Sequence, residues 1–307
     1  MGLVPHRYAR RLAGVLLWTT LLAHAGDWPA DLPQRVELAD VPFFAQDDYQ
    51  CGPAALAMLL AHSGVAVTPQ QLQPQVYLPG RAGSLAIELQ AATRRQQRLP
   101  YLLPGSLDAL LRELAAGRPV LVLLNPGFSW WPRWHYALAI GYDAVNEEMI
   151  LHSGRERASH MQLTPFLNGW QRGGNWAMLA LPAQRLPVFA SAAAMLQQGI
   201  ALEQAGQDQL AAPLYQAAVA RWPEAHELWF GLGNVRYRLT QPAAAEAAWH
   251  TALQLQPAAA PARLNLIELL LEQRRKQEAL VLLDGGEALE PGRIEYQALR
   301  RRLAVAD

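Results

Sequence analysis

A single cysteine, Cys51, occurs among the 307 residues of this sequence. Alone, it forms no disulfide within the chain, and it excludes multi-cysteine zinc sites and iron–sulfur clusters. It begins the apolar run Cys-Gly-Pro-Ala-Ala-Leu-Ala-Met, and Ser63 and Gly64 follow that run, which predicts a buried helix over residues 51–62. The N–H groups and partial positive charge of a helix N-terminus stabilise a thiolate. We therefore predict that Cys51 is a nucleophile rather than a small buried side chain.

Two neighbours of Cys51 fit the same chemistry. Gln46 carries a side-chain amide that can donate a hydrogen bond to the oxygen that becomes negative during acyl transfer. Gly52 is expected to leave space beside the sulfur for the backbone of a substrate. These residue types predict attack of a thiolate on a carbonyl carbon, with nearby N–H groups holding the charge of the intermediate.

A thiolate nucleophile needs a base, and three histidines are candidates: His135, His152 and His160. His135 opens the run His-Tyr-Ala-Leu-Ala-Ile, which predicts a strand that would hold its ring at a sheet edge. His152 ends the next predicted strand, and His160 is expected in the loop that follows. The order along the chain, with the cysteine on a helix and the histidine on a later strand, favours His135 as the base.

The segment before His135 is rich in aromatic side chains: Phe128, Trp130, Trp131 and Trp134 lie within seven residues. Large aromatic side chains supply much of the contact area of ligand grooves. We predict that Trp130, Trp131 and Trp134 form one wall of a substrate groove. Core packing beneath a loop is the alternative.

The elements that would position these residues are of two kinds along the chain. Residues 26–186 are predicted to form short helices first and strands afterwards, the strands covering 119–124, 135–140, 149–151 and 176–181. That order predicts an α+β domain with a mostly antiparallel sheet.

Residues 187–307 lack strand patterns and instead contain a repeat. Pro223, Pro257 and Pro291 recur every 34 residues, and small and bulky residues stand at fixed distances before each proline. Small residues let two helices approach closely, the bulky residue fills the space between them, and proline ends the second helix. The spacing predicts a series of helical hairpins.

These hairpins resemble the tetratricopeptide repeat, with units at 192–223, 226–257 and 260–291 and a C-terminal capping helix after them. The third unit departs from the pattern, because Gly285 and Gly286 stand late in its second helix. The resemblance implies an all-α solenoid whose concave face binds a peptide or a protein partner.

The first domain resembles the bacteriocin-processing peptidases, papain-like enzymes that cut leader peptides after double glycine. The resemblance covers residues 38–182 and rests on Gln-x4-Cys-Gly-Pro-Ala-Ala-Leu-Ala-Met and on Trp-His-Tyr-Ala-Leu-Ala-Ile-Gly-Tyr-Asp. It implies a papain-like fold, with Cys51 as nucleophile, His135 as general base and Gln46 as oxyanion donor.

The family's third catalytic residue is an aspartate or asparagine that orients the histidine, and this sequence departs from the family there. The matching position is Ser153, which can bond to an imidazole but carries no charge. Asp143 and Asn175 are possible substitutes with less suitable spacing. The resemblance thus implies a Cys–His pair supported by a neutral third group.

The N-terminus predicts export. Three arginines precede the apolar run 12–22, and Ala-His-Ala follows it, so residues 1–25 have the pattern of a cleaved signal peptide. The run is too short to span a bilayer, and no stable membrane insertion is expected after cleavage. We predict a periplasmic location.

The net charge of the chain bears on whether it binds nucleic acid. With 26 basic and 26 acidic residues, the chain lacks the basic excess of nucleic-acid-binding proteins. No metal and no cofactor are expected.

Three functions are compatible with these patterns. The first is an exported cysteine peptidase that hydrolyses peptide bonds and uses its repeats to bind a peptide or protein. The second is a weak or inactive peptidase-like adaptor that acts through the repeats. The third is transfer of the acyl group to an amine by the same Cys–His pair.

Overall fold

The computed structural model describes residues 28–46, 50–81 and 83–305. The predicted signal peptide lies outside the described residues. The strands are β1 (Arg35–Glu37), β2 (Tyr77–Leu78), β3 (Gly83–Ser84), β4 (Leu99–Leu102), β5 (Val120–Leu124), β6 (His135–Asp143), β7 (Glu148–Ser153), β8 (Glu156–Gln162) and β9 (Ala177–Leu181).

Helices lie between the strands and make up the whole C-terminal part. They are α1 (Cys51–His62), α2 (Pro69–Val76), α3 (Ala86–Arg95), α4 (Leu107–Ala115), α5 (Leu163–Arg172), α6 (Ala192–Gln204), α7 (Asp208–Arg221), α8 (His226–Arg238), α9 (Pro242–Leu255), α10 (Ala260–Glu272), α11 (Lys276–Leu289) and α12 (Ile294–Val305). None of the helices in the described residues combines the length and apolar character needed to cross a bilayer.

The main sheet has the strand order β4-β9-β5-β6-β7-β8, with β1 paired to one end of β6. All of its described pairings are antiparallel, as predicted. Strand β6 lies in the middle of this sheet, and every residue of it except the first, His135, is buried.

The two faces of β6 belong to different parts of the hydrophobic core. Leu138 and Ile140 pack with helix α1, whereas Ala137 and Ala139 pack on the opposite side of the sheet. This is the alternation of a strand that is buried on both faces. Helix α1 is apolar nearly all round and buried from residue 52 to residue 60, as expected for a helix enclosed by a core.

Strand β8 replaces the loop that was predicted around His160. Its side chains are mostly exposed or half-buried, and His160 contacts Glu148 of the neighbouring strand at 2.7 Å. Because β8 lies at the edge of the sheet, it carries few apolar residues. The hydrophobic alternation that predicts a strand is therefore absent from its sequence.

The helical hairpins of the C-terminal part pack as the repeat pattern predicts. A side chain on Gly199 would overlap the ring of Tyr215, and a side chain on Gly233 would overlap that of Trp249. In the third unit, a Cβ on Gly286 would lie 2.7 Å from both Arg263 and Tyr296. The late glycine of this unit thus makes room for a buried arginine and for the capping helix.

The sheet and the first repeats share one hydrophobic core. Buried residues from β4, β5 and β9 belong to the same cluster as buried residues of α6, α7 and α8. The connection between β9 and α6 is held from both sides. Buried Glu113 accepts a 2.6 Å hydrogen bond from the Val188 N–H, and Arg221 donates to the carbonyls of Pro187 and Val188 at 3.0 Å.

Candidate active site

Cys51 is the first residue of α1, and its thiol is partly buried. The first turn of α1 contains no acidic residue, so the positive end of the helix dipole is not offset there. Helix α1 packs against β6. Burial raises the pKa of Tyr136, the second residue of β6, and Cys51 packs against the hydrophobic cluster that contains Tyr136.

His135 is joined to Ser153. The distance from His135 Nε2 to Ser153 Oγ is 2.9 Å, which links the first residue of β6 to the last residue of β7. Ser153, which the resemblance matches to the third catalytic position, therefore touches the histidine. A hydroxyl can either donate or accept, so this bond alone does not fix which nitrogen carries the proton.

Burial lowers the pKa of His135, which favours the neutral imidazole at pH 7. Because Nε2 faces Ser153, Nδ1 is the nitrogen left for proton transfer. Among the described residues, no hydrogen bond joins His135 to the Cys51 thiol. Catalytic hydrogen bonds are often long in unliganded enzymes and tighten when substrate binds.

Gln46 is almost fully buried, at 6% exposure, and is held by hydrogen bonds to β6 and to Gly154, the residue after β7. Its side-chain oxygen accepts the Gly154 N–H at 3.1 Å, its own N–H donates to the Gly154 carbonyl at 2.9 Å, and its Nε2 donates to the Tyr136 carbonyl at 3.4 Å. The amide thus lies between the neighbours of His135 and of Ser153. Only one of the two Nε2 protons is used by these contacts.

The surroundings of Gly52 differ from the prediction. A side chain at this position would overlap the hydroxymethyl group of Ser84. The space that the glycine leaves is therefore occupied by Ser84 of β3, not open to a substrate backbone. Glycine is required here by close packing between α1 and β3.

The two predicted substitutes for Ser153 are placed elsewhere. Asp143 is at the far end of β6, about 26 Å from His135 at roughly 3.3 Å per residue. Its carboxylate accepts the N–H groups of Val145 and Asn146, which hold its pKa below the usual range. Asn175 occupies a left-handed turn before β9, with φ of 52°. Neither contacts the His135 ring.

The aromatic segment before His135 is exposed and is not core packing. Phe128, Trp130, Trp131 and Trp134 are 57 to 77% exposed, and the rings of Phe128 and Trp130 stack 5.4 Å apart. Three of these residues were predicted to line the substrate groove, and all three stand open to a ligand.

Sequence reasoning missed the residue that shapes this aromatic loop. Asn125 is 1% exposed, and its side-chain oxygen accepts the N–H groups of Gly127 and Arg133 at 3.0 and 2.9 Å. Its own carbonyl accepts Arg172 Nε at 2.9 Å. Asparagine beside proline and glycine is a common turn signal, and that signal gave no hint of a bond to a residue eight positions later.

Comparison with protein families agrees with both halves of the fold. Residues 38–178 match the Peptidase_C39 like family, and residues 196–239 and 238–303 match two tetratricopeptide repeat families. These matches confirm the two resemblances noted in the sequence. Residues 38–178 are thus similar to peptidase C39-like domains, and the helices that follow are similar to tetratricopeptide repeats.

Solved structures similar to each half are known. A C39-like peptidase from Bacillus anthracis is 18% identical, with 48% of this chain and 97% of that chain covered and a TM-score of 0.41. The Yersinia enterocolitica type III secretion chaperone SycD, in complex with a peptide of the translocator YopD, is 18% identical, with 38% and 92% covered and a TM-score of 0.34. No curated protein matches the chain.

Proposed function

We propose that this protein is an exported cysteine peptidase that hydrolyses peptide bonds with Cys51 and His135. The observation that carries the proposal is the 2.9 Å contact between His135 and Ser153, at the end of the strand on which the Cys51 helix packs. The match of residues 38–178 to the Peptidase_C39 like family supports the same chemistry. The export part rests on the arginine-rich start and short apolar run of residues 1–25.

In the proposed reaction, His135 Nδ1 takes the thiol proton and the Cys51 sulfur attacks the peptide carbonyl carbon. The resulting oxyanion accepts hydrogen bonds from the free Nε2 proton of Gln46 and from the Cys51 backbone N–H. The C–N bond then breaks as His135 gives its proton to the leaving amine. Water, deprotonated by His135, attacks the thioester, releases the carboxylic acid and restores the thiol.

Ser153 orients the histidine in this scheme without supplying charge. A carboxylate would favour the imidazolium form through its negative charge, whereas a hydroxyl gives only a neutral hydrogen bond. The thiolate–imidazolium pair is therefore less stable than in an enzyme with aspartate at this place. We expect slow turnover with a requirement for neutral or mildly basic pH.

The exposed aromatic loop supplies the substrate wall in this proposal. Trp134 directly precedes His135, and the stacked Phe128 and Trp130 extend from the same loop. Large apolar side chains of a peptide would gain about 25 cal/mol per Å² buried against these rings.

The repeats are proposed to bind an extended peptide beside α8 and α10. Asn234 Oδ1 accepts Trp249 Nε1 at 3.1 Å and Asn265 Nδ2 at 2.8 Å. Because an indole N–H only donates, these bonds fix the orientation of both amides. Asn234 Nδ2 and Asn265 Oδ1 then provide a donor and an acceptor at a cavity of about 280 Å³, which suits one peptide unit.

A peptidase-like adaptor is the second candidate, and the uncharged Ser153 favours it. In that case the repeats alone would carry the function. Transfer of the acyl group to an amine instead of water uses the same groups and is tested by adding an amine acceptor.

The test uses protein lacking residues 1–25 and a proteome-derived peptide library, with new termini read by mass spectrometry. We expect cleavage by the unaltered protein and none by Cys51→Ala or His135→Ala. A biotinylated peptide vinyl sulfone should label Cys51 only when His135 is present. Labelling of Cys51 that does not depend on His135, together with no peptide cleavage, would contradict the peptidase proposal and favour the adaptor.

A further inference from the structure

His152 is a buried histidine near the candidate site that the proposed reaction does not use. It lies on β7 directly before Ser153, and it is 1% exposed. The ring of Phe43 meets it edge-on, with the ring centres 5.2 Å apart. A buried polar ring of this kind needs a partner for each nitrogen.

Both ring nitrogens of His152 are engaged by backbone groups. Nδ1 accepts the Ala158 N–H at 3.1 Å, and Nε2 lies 3.3 Å from the Val41 carbonyl. An N–H donor at Nδ1 requires that nitrogen to be unprotonated, so the proton is on Nε2 and is donated to Val41. The ring is therefore neutral and in a single tautomer, and burial lowers its pKa in agreement with that state.

The Val41 carbonyl belongs to the segment 41–46, which ends at the proposed oxyanion donor. At its far end, Gln46 makes two hydrogen bonds to Gly154, two residues after His152 on the chain. The segment is thus tied to the end of β7 at both of its ends, once through His152 and once through Gly154. Through the Ala158 N–H, His152 also contacts β8. This contact lies where the pairing of β7 with β8 shifts register, next to Ser153.

We propose that His152 is a positioning residue that holds segment 41–46 so that the Gln46 amide points at the developing oxyanion. This inference rests on the proposed peptidase function. Without the ring, the Val41 carbonyl and the Ala158 N–H lose their partners, and the hydrogen bonds that remain between the segment and β6 and β7 are those of Gln46 to Gly154 and Tyr136. The Nε2 bond of Gln46 to Tyr136, at 3.4 Å, is too long to hold the amide by itself.

A double-mutant cycle tests the proposal through peptide hydrolysis. Removing one oxyanion donor costs roughly 10²–10³ in kcat, so Gln46→Ala should fall by about that factor. His152→Phe should fall by a similar factor, and the double variant should be no slower than Gln46→Ala alone. Losses that multiply in the double variant would overturn the proposal, because His152 would then act independently of Gln46.

Alkylation of Cys51 by iodoacetamide is the second readout, since this reaction forms no oxyanion. We expect the alkylation rate of His152→Phe to stay within about twofold of the rate of the unaltered protein. A general collapse of the site would change that rate by more. A loss of alkylation equal to the loss of hydrolysis would overturn the proposal. His160→Phe, at an exposed position on β8, is the matched control and should change neither rate.

Two conservative variants keep the test valid if phenylalanine is not tolerated. His152→Gln places a donor where Nε2 stood and should retain the Val41 bond, whereas His152→Asn places an acceptor where Nδ1 stood and should lose it. We expect the glutamine variant to keep most of its kcat and the asparagine variant to fall towards Gln46→Ala. The reverse order would contradict the role assigned to Val41.

Hydrogen exchange separates this proposal from the peptidase proposal. The Gly154 amide is protected by Gln46, so its exchange should be at least about tenfold faster in His152→Asn than in His152→Gln, at equal unfolding free energy. This readout needs no enzymatic activity. Equal exchange in the two variants would overturn the positioning role even in an active enzyme.

Discussion

His135 and His152 differ in how many of their ring nitrogens are occupied. Both stand on neighbouring strands of one sheet, and burial lowers the pKa of both. His152 uses both nitrogens for backbone groups, whereas within the described residues His135 bonds to Ser153 through Nε2 and has no hydrogen bond at Nδ1. A histidine with a spare nitrogen can move a proton; one whose nitrogens are both bonded can only hold its surroundings in place.

Burial and a lowered pKa do not by themselves identify a catalytic histidine, since both histidines have them. The place of a histidine along its strand is more informative about a catalytic role. His135 is the first residue of a central strand and lies beside the exposed aromatic loop, whereas His152 lies inside the core.

The largest effect is expected for His135→Ala. Loss of the general base should lower kcat for peptide hydrolysis by about 10²–10⁴-fold, because the thiol then has no group to take its proton. Steady-state kinetics on a peptide found by the library screen measures this, with His160→Ala as control. A rate within threefold of the unaltered protein would remove His135 from the mechanism.

The unfolding free energy should change in the opposite order. His152→Ala leaves the Val41 carbonyl and the Ala158 N–H buried without partners and should cost about 2–4 kcal/mol. His135→Ala should cost about 1 kcal/mol or less, since its ring is held by one hydrogen bond. Urea unfolding at pH 8 gives both values, and equal losses would erase the distinction between the two residues.

Ser153→Asp should change the pKa of His135 and leave the pKa of His152 unchanged. A carboxylate at hydrogen-bonding distance favours the imidazolium, so the pKa of His135 should rise. The thiolate–imidazolium pair then persists to lower pH, and iodoacetamide alkylation of Cys51 should extend further into the acid range. NMR titration of the ring protons follows both histidines, and a parallel rise for His152 would contradict the separation.

The smallest effect is expected from the loop that leads into His135. Trp130→Ala and Trp131→Ala should each raise KM by about fivefold for a peptide with aromatic side chains, at nearly constant kcat, because about 1 kcal/mol of ring contact is lost. His152 variants should show the opposite pattern, with kcat lowered and KM kept. A change in kcat for the tryptophan variants would show that the loop positions the histidine rather than the substrate.

Much of the fold could be predicted because its signals are local. The bounds of α1, the alternation of β6 and the phase of the repeats depend on residues close together in sequence. Strand β8 escaped prediction because an edge strand needs few apolar side chains.

The sequence predicts which residue types form the candidate site, but only some of the contacts between them. The pattern around Cys51 and His135 carries the family resemblance, and the place of Ser153 follows from it. The roles of Asn125 and His152 depend on backbone groups far away in sequence, such as Val41, and no spacing rule indicates them. Gly52 was misread for the same reason, since Ser84 reaches it from a distant strand.

The core shared by the sheet and the first repeats limits how this protein can be divided. Deleting the chain after β9 would strip α6, α7 and α8 from the sheet and expose an apolar surface that favours aggregation. A protease that cut between Pro187 and Val188 would leave two fragments that stay together, as a nicked protein does. The two halves, although they match separate families, are therefore expected to melt in one cooperative transition.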